Sequence, residues 1–453
     1  MMRQVRVELR RSNAPAVAVL LLAVGALGTA SMYSFWQGQG QGQWLRLGYV
    51  HASDMFFLVP LALAGGTVLG RRDRRTRADE LTNSTGRPRW QRVLPPMTAL
   101  GVAVAAAHLL VLAAGAAVVA TGGAHLGVRG LAGPLVDVLV LVGAAWVGVA
   151  VGRLWSSPLL PPLLAAAGLV AQEGIALLGG SGSRLTNASL MISWPPDTPW
   201  ETLSDRLLLS RLALGAGLVL AGLLLAAGGS WLTRAGALAG LAGGVAGLVL
   251  IGVPGPAGIW QLDAGARRYV CADGTPQVCV TAVHAHLLPE ITPEARRGLR
   301  ALAKLPGAPT RAVELRLDTI GSNDSEQWHR PRPAPGTVQF HLEVDPDTGR
   351  AADVAERIAM GGGTRWSGCG RSGDDAAPAI VAAWLLDTDT VRLWDSWTGY
   401  RYADEQQPQI RAGVRHLRAL PEPEQVRRVT ALRDAAARCE PDLMPALTGR
   451  AAP

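Results

Sequence analysis

The sequence predicts a polytopic α-helical membrane bundle followed by a water-soluble α+β domain. Seven apolar stretches, each long enough to cross a bilayer, lie within residues 1–253, and the last 200 residues contain none. All four cysteines lie in this C-terminal part. A transmembrane helix needs roughly 20 apolar residues, and its backbone polar groups have to pair internally. We therefore expect each apolar stretch to form a helix.

The predicted spans follow these apolar runs. The second run is short, and the break between the sixth and seventh depends on Gly229, Ser230 and Arg234, so six or eight spans are alternatives. The first run has the basic start of a cleaved signal peptide, but the six runs that follow favour a retained helix. We place the spans at 14–33, 55–70, 96–120, 135–152, 158–178, 207–227 and 235–253.

The uneven distribution of positive charge predicts the orientation. Residues 1–253 contain 19 Arg against 10 acidic residues, whereas residues 254–453 are nearly neutral. Most of these arginines precede the first span or fill the 71–92 connection after the second. Arginine-rich loops stay in the cytoplasm. We therefore expect a cytoplasmic N-terminus, and an odd number of spans then places the C-terminal domain outside.

The same distribution bears on the partners of the chain. The excess positive charge belongs to the membrane part, so it predicts contact with anionic membrane lipid rather than with nucleic acid. The basic 71–92 connection is also suited to docking a protein partner. We expect a multi-pass protein of the cell membrane.

The cysteines agree with an exported C-terminal domain. An even number of cysteines in such a domain predicts disulfides. We favour a bond between Cys271 and Cys279 because the loop is short, which leaves Cys369 to pair with Cys439. Four buried thiols are the alternative. No pair has the CxxC spacing of a zinc site, so no metal is expected there.

The C-terminal part predicts one α+β domain at 263–453, after a Gly/Pro-rich linker at 254–262. Alternating apolar residues predict strands, and a helix is expected to begin near Thr292, with Glu294 in its first turn. The strands are expected at 277–283, 310–320 and 337–344, and the helices at 292–305, 353–360, 376–387 and 422–439.

Two groups of side chains in this domain are candidate ligand sites. His284 and His286, with Glu290 nearby, could share a metal if they lay on one face of a strand. A second group is an acidic cluster near three tryptophans, which could bind a cation or a sugar. The favoured interpretation of the first group is a pair of surface or capping histidines near a strand end. For the second group it is a solvated loop beside a buried aromatic patch. The cluster comprises Asp387, Asp389 and Asp395, near Trp384, Trp394 and Trp397.

Ionisable residues inside the predicted spans are the other candidates. Such groups are costly in lipid and usually have a role. His108 lies in the middle of the third span and Glu173 toward the outer end of the fifth, and a pathway role is plausible for both. A neutral, hydrogen-bonded histidine and a carboxylate that reaches water are equally good interpretations. Asp54 and Asp137 are expected near outer helix ends, in contact with interfacial water.

The N-terminal 120 residues resemble the membrane subunits of ABC-2-type transporters. The resemblance rests on a basic leader, "RVELRRSNAP", on an outer loop with Trp36 and Trp44, and on "GRRDRRTRADELTNSTGRPRWQR" after the second span. It implies a short cytoplasmic helix near 77–85 that docks on a separate ATPase subunit. The residues that it assigns to this docking are Arg77, Glu80, Leu81, Arg87 and Arg89.

The resemblance has two departures and leaves alternatives open. Such subunits usually have six spans and no exported domain. Lys304 is the only lysine and does not end a P-loop, so an ATPase would have to be a separate chain. The leading hypothesis is a dimeric, non-enzymatic exporter permease without a cofactor. The alternatives are a membrane-anchored extracytoplasmic binding or sensing protein and an exported metallo-hydrolase that uses His284 and His286.

Overall fold

The chain consists of two compact units. The membrane unit comprises Met1–Phe35, Gln43–Asp197 and Glu201–Leu262, and the second unit comprises mainly Asp263–Pro453. The computed structural model describes residues 2–35, 43–75, 88–121, 127–179, 190, 196, 198–252, 258–316, 334–344, 350–361, 376–391, 393–394, 401–402, 406–438, 440 and 442–449.

The membrane unit contains eight α-helices among its described residues, and six of them are long and apolar enough to cross a membrane. This confirms a membrane protein with a helical bundle. In chain order the helices are α1 (Met2–Arg11), α2 (Ala14–Phe35), α3 (Gln43–Arg75), α4 (Arg89–Thr121), α5 (Ala132–Leu154), α6 (Leu160–Gly179), α7 (Asp205–Ala227) and α8 (Trp231–Ile251).

The helix boundaries differ from the predicted spans in three places. Helix α3 begins twelve residues before the predicted start at Met55, because polar residues at its beginning interrupt the apolar run but not the helix. Helix α4 continues through Pro95 and Pro96. The fifth predicted span corresponds to α6, whose apolar described part, Leu160–Ile175, is shorter than the six spanning helices.

Glycines bring the backbones of α3 and α5 together. A Cβ on Gly148 would overlap the carbonyl oxygen of Leu63, and a Cβ on Gly66 would overlap that of Ala145. Small residues spaced four apart allow such close approach between membrane helices. Gly66 and Gly70 of α3 face residues 145 and 149 of α5, and residues 63 and 67 of α3 face Gly148 and Gly152. The contacts advance in the same direction along both helices, so the two helices run parallel.

Helices α5 and α7 are also parallel. Asp137 and Gly143 of α5 contact Arg211 and Leu218 of α7 in the same order along both helices. The chain therefore has to return along the bundle between the end of α5 and the start of α7. Helix α6 runs in that return direction, because Gln172 donates to the carbonyl of Phe56 on α3 while Arg71 donates to Ser156, just before α6.

The helix ends form two groups. At one end, Glu8 of α1 pairs with Arg72 at 3.1 Å, and Arg71 reaches the carbonyl of Ser156. At the other end, Arg129 approaches Asp205, and strand β1 (Glu201–Leu203) pairs antiparallel with strand β2 (Trp260–Leu262). Part of the predicted linker at 254–262 is therefore a strand.

The second unit contains a four-stranded sheet with the order β3-β4-β5-β6. The first pair is antiparallel and places Cys271 opposite Cys279, whereas the other two pairs are parallel. The strands are β3 (Tyr269–Cys271), β4 (Gln277–Thr281), β5 (Arg311–Glu314) and β6 (Thr337–Phe340). Two further strand pairs are β7 (Glu343–Val344) with β8 (Ala351–Ala352), and β9 (Leu393–Trp394) with β10 (Arg401–Tyr402).

The helices of this unit cover one apolar core, to which Phe340, Ile358, Ile380 and Leu432 contribute. The first helix begins at Leu288 rather than at Thr292, because Pro289 fits a first helical turn and Thr292 donates to the carbonyl of Leu288. The helices are α9 (Leu288–Leu302), α10 (Val354–Gly361), α11 (Ala376–Leu385), α12 (Gln407–Arg418), α13 (Glu422–Ala437) and α14 (Met444–Thr448).

The contact between α3 and α5 can be tested by enlarging Gly148. We expect Gly148→Leu to lower the free energy of unfolding by about 1–3 kcal/mol, since the side chain would force two backbones apart. The measurement is unfolding of the full chain in detergent micelles. Gly243→Leu is the matched control, because this exposed glycine of α8 has open space around it. Equal stability of the two variants would contradict the proposed close contact.

Candidate functional site: a buried polar cluster in the membrane bundle

A fully buried ion pair lies between α5 and α7. The guanidinium Nη1 of Arg211 donates to both carboxylate oxygens of Asp137, at 3.0 and 3.3 Å, and Nη2 donates to the carbonyl of Leu190 at 2.7 Å. The two side chains are 1% and 0% exposed. Asp137 and Arg211 are the sixth and seventh residues of two parallel helices, so they lie at the same depth. Each charge can be buried only because the other neutralises it.

His108 lies beside this pair. Its Nε2 is 3.2 Å from the carbonyl oxygen of Pro134, three residues before Asp137. Because a carbonyl only accepts, Nε2 carries the proton in this contact, and in a neutral ring Nδ1 is then an unprotonated acceptor. Nδ1 is buried and has no hydrogen-bond partner among the residues that the structure describes.

A second histidine, His51 of α3, packs against His108. The ring centroids are 5.3 Å apart and the rings meet edge to face. The residues are 1% and 3% exposed, and both ring nitrogens of His51 lack a partner within the described part of the chain. The two rings line a small cavity, whose other walls are apolar side chains such as Leu21, Leu58 and Val104.

Asp54 extends the cluster by one turn of α3 beyond His51. Its carboxylate accepts a hydrogen bond from Thr29 of α2 at 2.9 Å, and a Cβ on Gly28 would overlap it. Asp54 is 5% exposed and Asp137 is completely buried, so the expectation that they reach interfacial water is wrong. The reason is that α3 begins earlier than the apolar run indicates and that Arg211 provides a partner for Asp137.

The predicted membrane and docking residues fall in different places. His108 belongs to the buried cluster, but Glu173 is exposed on α6, and its neighbour Gln172 is the side chain that bonds to α3. Arg89 lies at the start of α4, with its guanidinium beside Gly229. The other docking residues, Arg77, Glu80, Leu81 and Arg87, lie outside the described residues.

The histidines of the second unit do not form the proposed pair of metal ligands. They lie in a 3₁₀ helix, Ala282–Leu287, and not on a strand, so they do not share a face. His284 is buried, with Nδ1 2.6 Å from Oε1 of Glu314. His286 is exposed, and Glu290 pairs with Arg350. Partial desolvation of the His286 ring and the charge of His284 lower the pKa of His286.

Glu314 is the centre of a small hydrogen-bond network. Its Oε2 accepts from the backbone N–H and the hydroxyl of Thr281, at 2.6 and 2.8 Å. Burial by itself raises the pKa of Glu314, but the charge of His284 and the hydrogen bonds from His284 and Thr281 outweigh burial and hold the pKa below its ordinary value. This network ties the end of β4 to β5, which is a structural role.

Two carboxylates of the acidic cluster have cationic partners within the fold. Asp387 pairs with Lys304 and Asp389 pairs with Arg418, each at 2.9 Å. Asp395 and Trp397 lie outside the described residues. These pairs lie at the surface.

One of the two expected disulfides is present. Cys271 and Cys279 are bonded, across the β3–β4 pair. Cys369 and Cys439 lie outside the described residues, so their pairing stays a prediction.

Comparisons of the chain with protein-family models, curated proteins and solved structures find no match. The candidate site therefore has to be interpreted from its own chemistry. That chemistry is a chain of ionisable groups, namely Asp54, His51, His108, Asp137 and Arg211, buried inside an apolar bundle. Sequence reasoning missed His51 and Arg211. Asp137 and Arg211 lie at similar distances from the outer ends of their predicted spans, and this similarity was a signal that the two charges could pair.

The ion pair predicts that substitutions of Asp137 and Arg211 have non-additive effects on stability. Arg211→Met leaves the Asp137 carboxylate buried without its cation, and we expect it to cost about 3–5 kcal/mol of stability. Adding Asp137→Asn removes the buried charge, so the double variant should be more stable than Arg211→Met alone. Unfolding in detergent micelles measures both, with Glu173→Gln as an exposed control. A double variant as unstable as the sum of the single variants would argue against the pair.

The Glu314 network predicts acid sensitivity of the β4–β5 region. A carboxyl group whose pKa is lower in the folded than in the unfolded protein stabilises the fold fully at pH values above its unfolded pKa. This stabilisation is lost as the pH falls through the pKa of the folded state. Protection of β4 and β5 against hydrogen exchange in the full chain, corrected for intrinsic rates, should therefore decrease below about pH 4.5, the ordinary value of a glutamate. Glu314→Gln should reduce this pH dependence, whereas Glu294→Gln at the surface should not. An unchanged acid dependence in Glu314→Gln would exclude this role.

Proposed function

We propose that the chain is the membrane-spanning permease subunit of an ABC-type exporter that takes its energy from a separate ATPase subunit. The observation that carries the proposal is the buried polar cluster. Ionisable groups are expensive inside a membrane and are characteristic of transport pathways. A bundle that served only as an anchor would not need Asp54, His51, His108 and the Asp137–Arg211 pair in its interior.

The proposed orientation rests on charge and on helix direction. Arginines of the leader, of the end of α3 and of the start of α4 belong to the end of the bundle where Glu8 contacts Arg72. We assign this end to the cytoplasm by the positive-inside rule. If α6 crosses the membrane between the parallel helices α5 and α7, the chain has seven spans. Residues 263–453 are then extracytoplasmic, where the Cys271–Cys279 disulfide is favoured.

The ATPase partner follows from the resemblance of the first 120 residues to ABC-2-type permeases. We propose that the connection between α3 and α4 docks the ATPase, with Arg77, Glu80, Leu81, Arg87 and Arg89 at the contact. Two such subunits, identical or different, would form the transport unit. The chain itself would bind and move substrate without covalent chemistry.

The docking proposal predicts that substitutions in the connection between α3 and α4 weaken binding of the ATPase subunit. We expect an ATPase subunit to co-purify with the full chain in detergent, and Glu80→Ala combined with Leu81→Ala to reduce its recovery at least several-fold. Arg206→Ala is the control, because this exposed arginine lies at the start of α7, at the opposite end of the bundle.

Two results would contradict the proposal. The first is that the wild-type chain retains no ATPase. The second is that a reporter fused after Pro453 is active only in the cytosol, since that result reverses the proposed orientation of the C-terminal unit.

A membrane-anchored extracytoplasmic binding or sensing protein is the second candidate. It is favoured by the apolar core of the C-terminal unit, whose described members, such as Phe340 and Ile380, all belong to that unit. In that case the Asp263–Pro453 unit would carry the binding or sensing function. Ligand-dependent stabilisation of the full chain that persists after docking is abolished would favour this function.

A further inference from the structure

We propose that Asp54, His51 and His108 form a binding site for a single proton inside the membrane bundle. The site is independent of the proposed ATPase partner, because it depends only on side chains of α2, α3, α4 and α5. The inference starts from the geometry of the two imidazoles and from the balance of buried charge around them.

The imidazoles offer unused proton acceptors. With Nε2 of His108 directed at the Pro134 carbonyl, its Nδ1 is free to accept, and both nitrogens of His51 are without partners among the described residues. The cavity that they line has a volume of about 10 Å³, which is close to the room that one water molecule needs. A water molecule in it could hydrogen-bond to both rings and move a proton between them.

The charge balance supplies the reason to bind a proton. The charge of Asp137 is neutralised by Arg211. Asp54 has a hydrogen bond from Thr29 and no ion pair within the described part of the bundle. An isolated carboxylate in an apolar interior is strongly unfavourable. One proton, on Asp54 itself or on His51 one turn away on the same face of α3, makes the cluster neutral.

The other charged groups around the site do not neutralise the carboxylate of Asp54. Helix α2 carries no titratable side chain between Ala14 and Met32. On α3, Arg46 lies five residues before His51 and eight before Asp54, about 8 and 12 Å along the helix axis, and Tyr49 is neutral. Helix α6 contributes Gln172, which is bonded to the Phe56 carbonyl, and the exposed Glu173. The charge of Arg211 on α7 is engaged by Asp137.

A proton fits this site better than a metal ion does. A transition metal in a protein usually has three or four side-chain ligands. Among the described residues, no group of three or more His, Cys, Asp or Glu side chains is arranged to hold a metal. The cavity walls beyond the two histidines are apolar, so they offer no further ligand.

The test measures the protonation of these three residues in the full chain, reconstituted in lipid bilayers. Infrared spectra report a protonated carboxyl group, and nitrogen NMR of the labelled histidines distinguishes imidazole from imidazolium. We expect one proton in the cluster near neutral pH. It would be seen either as a protonated carboxyl band that is lost in Asp54→Asn, or as an imidazolium signal that is lost in His51→Gln or His108→Gln.

The control is Glu173→Gln. Because the carboxylate of Glu173 is exposed, its removal should leave both signals unchanged. The wild-type spectra show which protonation states are present, and they do not depend on whether a variant folds. Ionised carboxylates together with two neutral imidazoles throughout the range from about pH 6 to pH 8 would overturn the proposal. A carboxyl band that persists in Asp54→Asn, with neutral histidines, would overturn it as well.

Discussion

The buried pairing of Asp137 with Arg211 is the interaction on which the arrangement of the membrane unit depends. Neither side chain can be accommodated alone in an apolar interior, so α5 and α7 have to bring them to the same depth. Both residues lie near the beginning of their helices, and the helices must therefore run parallel. A parallel pair that is separated by 50 residues requires a return path, and α6 follows that direction.

Close backbone contact and buried polar groups have separate roles in the bundle. Gly66 and Gly148 let α3 and α5 approach until side chains cannot fit between them, which stabilises membrane helices through van der Waals contact rather than through the hydrophobic effect. The polar cluster lies further toward the ends of these helices where Arg129 approaches Asp205. His51 and Asp54 therefore lie on a helix whose position is set by its close contact with α5.

The sequence predicts the helices well and their contacts poorly. Bilayer thickness sets the length of an apolar run, so runs of that length predict spans without knowledge of the fold. The start of α3 is missed because polar residues such as His51 and Asp54 are compatible with a buried helix only when neighbours accommodate them. Helix α12 is missed although Ile410, Val414 and Leu417 recur at helical spacing. The pairing of Asp137 with Arg211 joins positions 74 residues apart, and no local pattern contains it.

Three constraints agree with the orientation that we propose for the chain. Arginine-rich connections are retained in the cytoplasm by the insertion process, whereas disulfides persist on the oxidising side of the membrane. Arg71 and Arg72 lie at the end of the bundle where Glu8 contacts Arg72, and the Cys271–Cys279 bond belongs to the second unit. If α6 did not cross, the parallel helices α5 and α7 could not both be spans within the same bilayer without an unpaired chain in the hydrocarbon region. An odd number of crossings satisfies the charge, the redox chemistry and the backbone hydrogen bonding together.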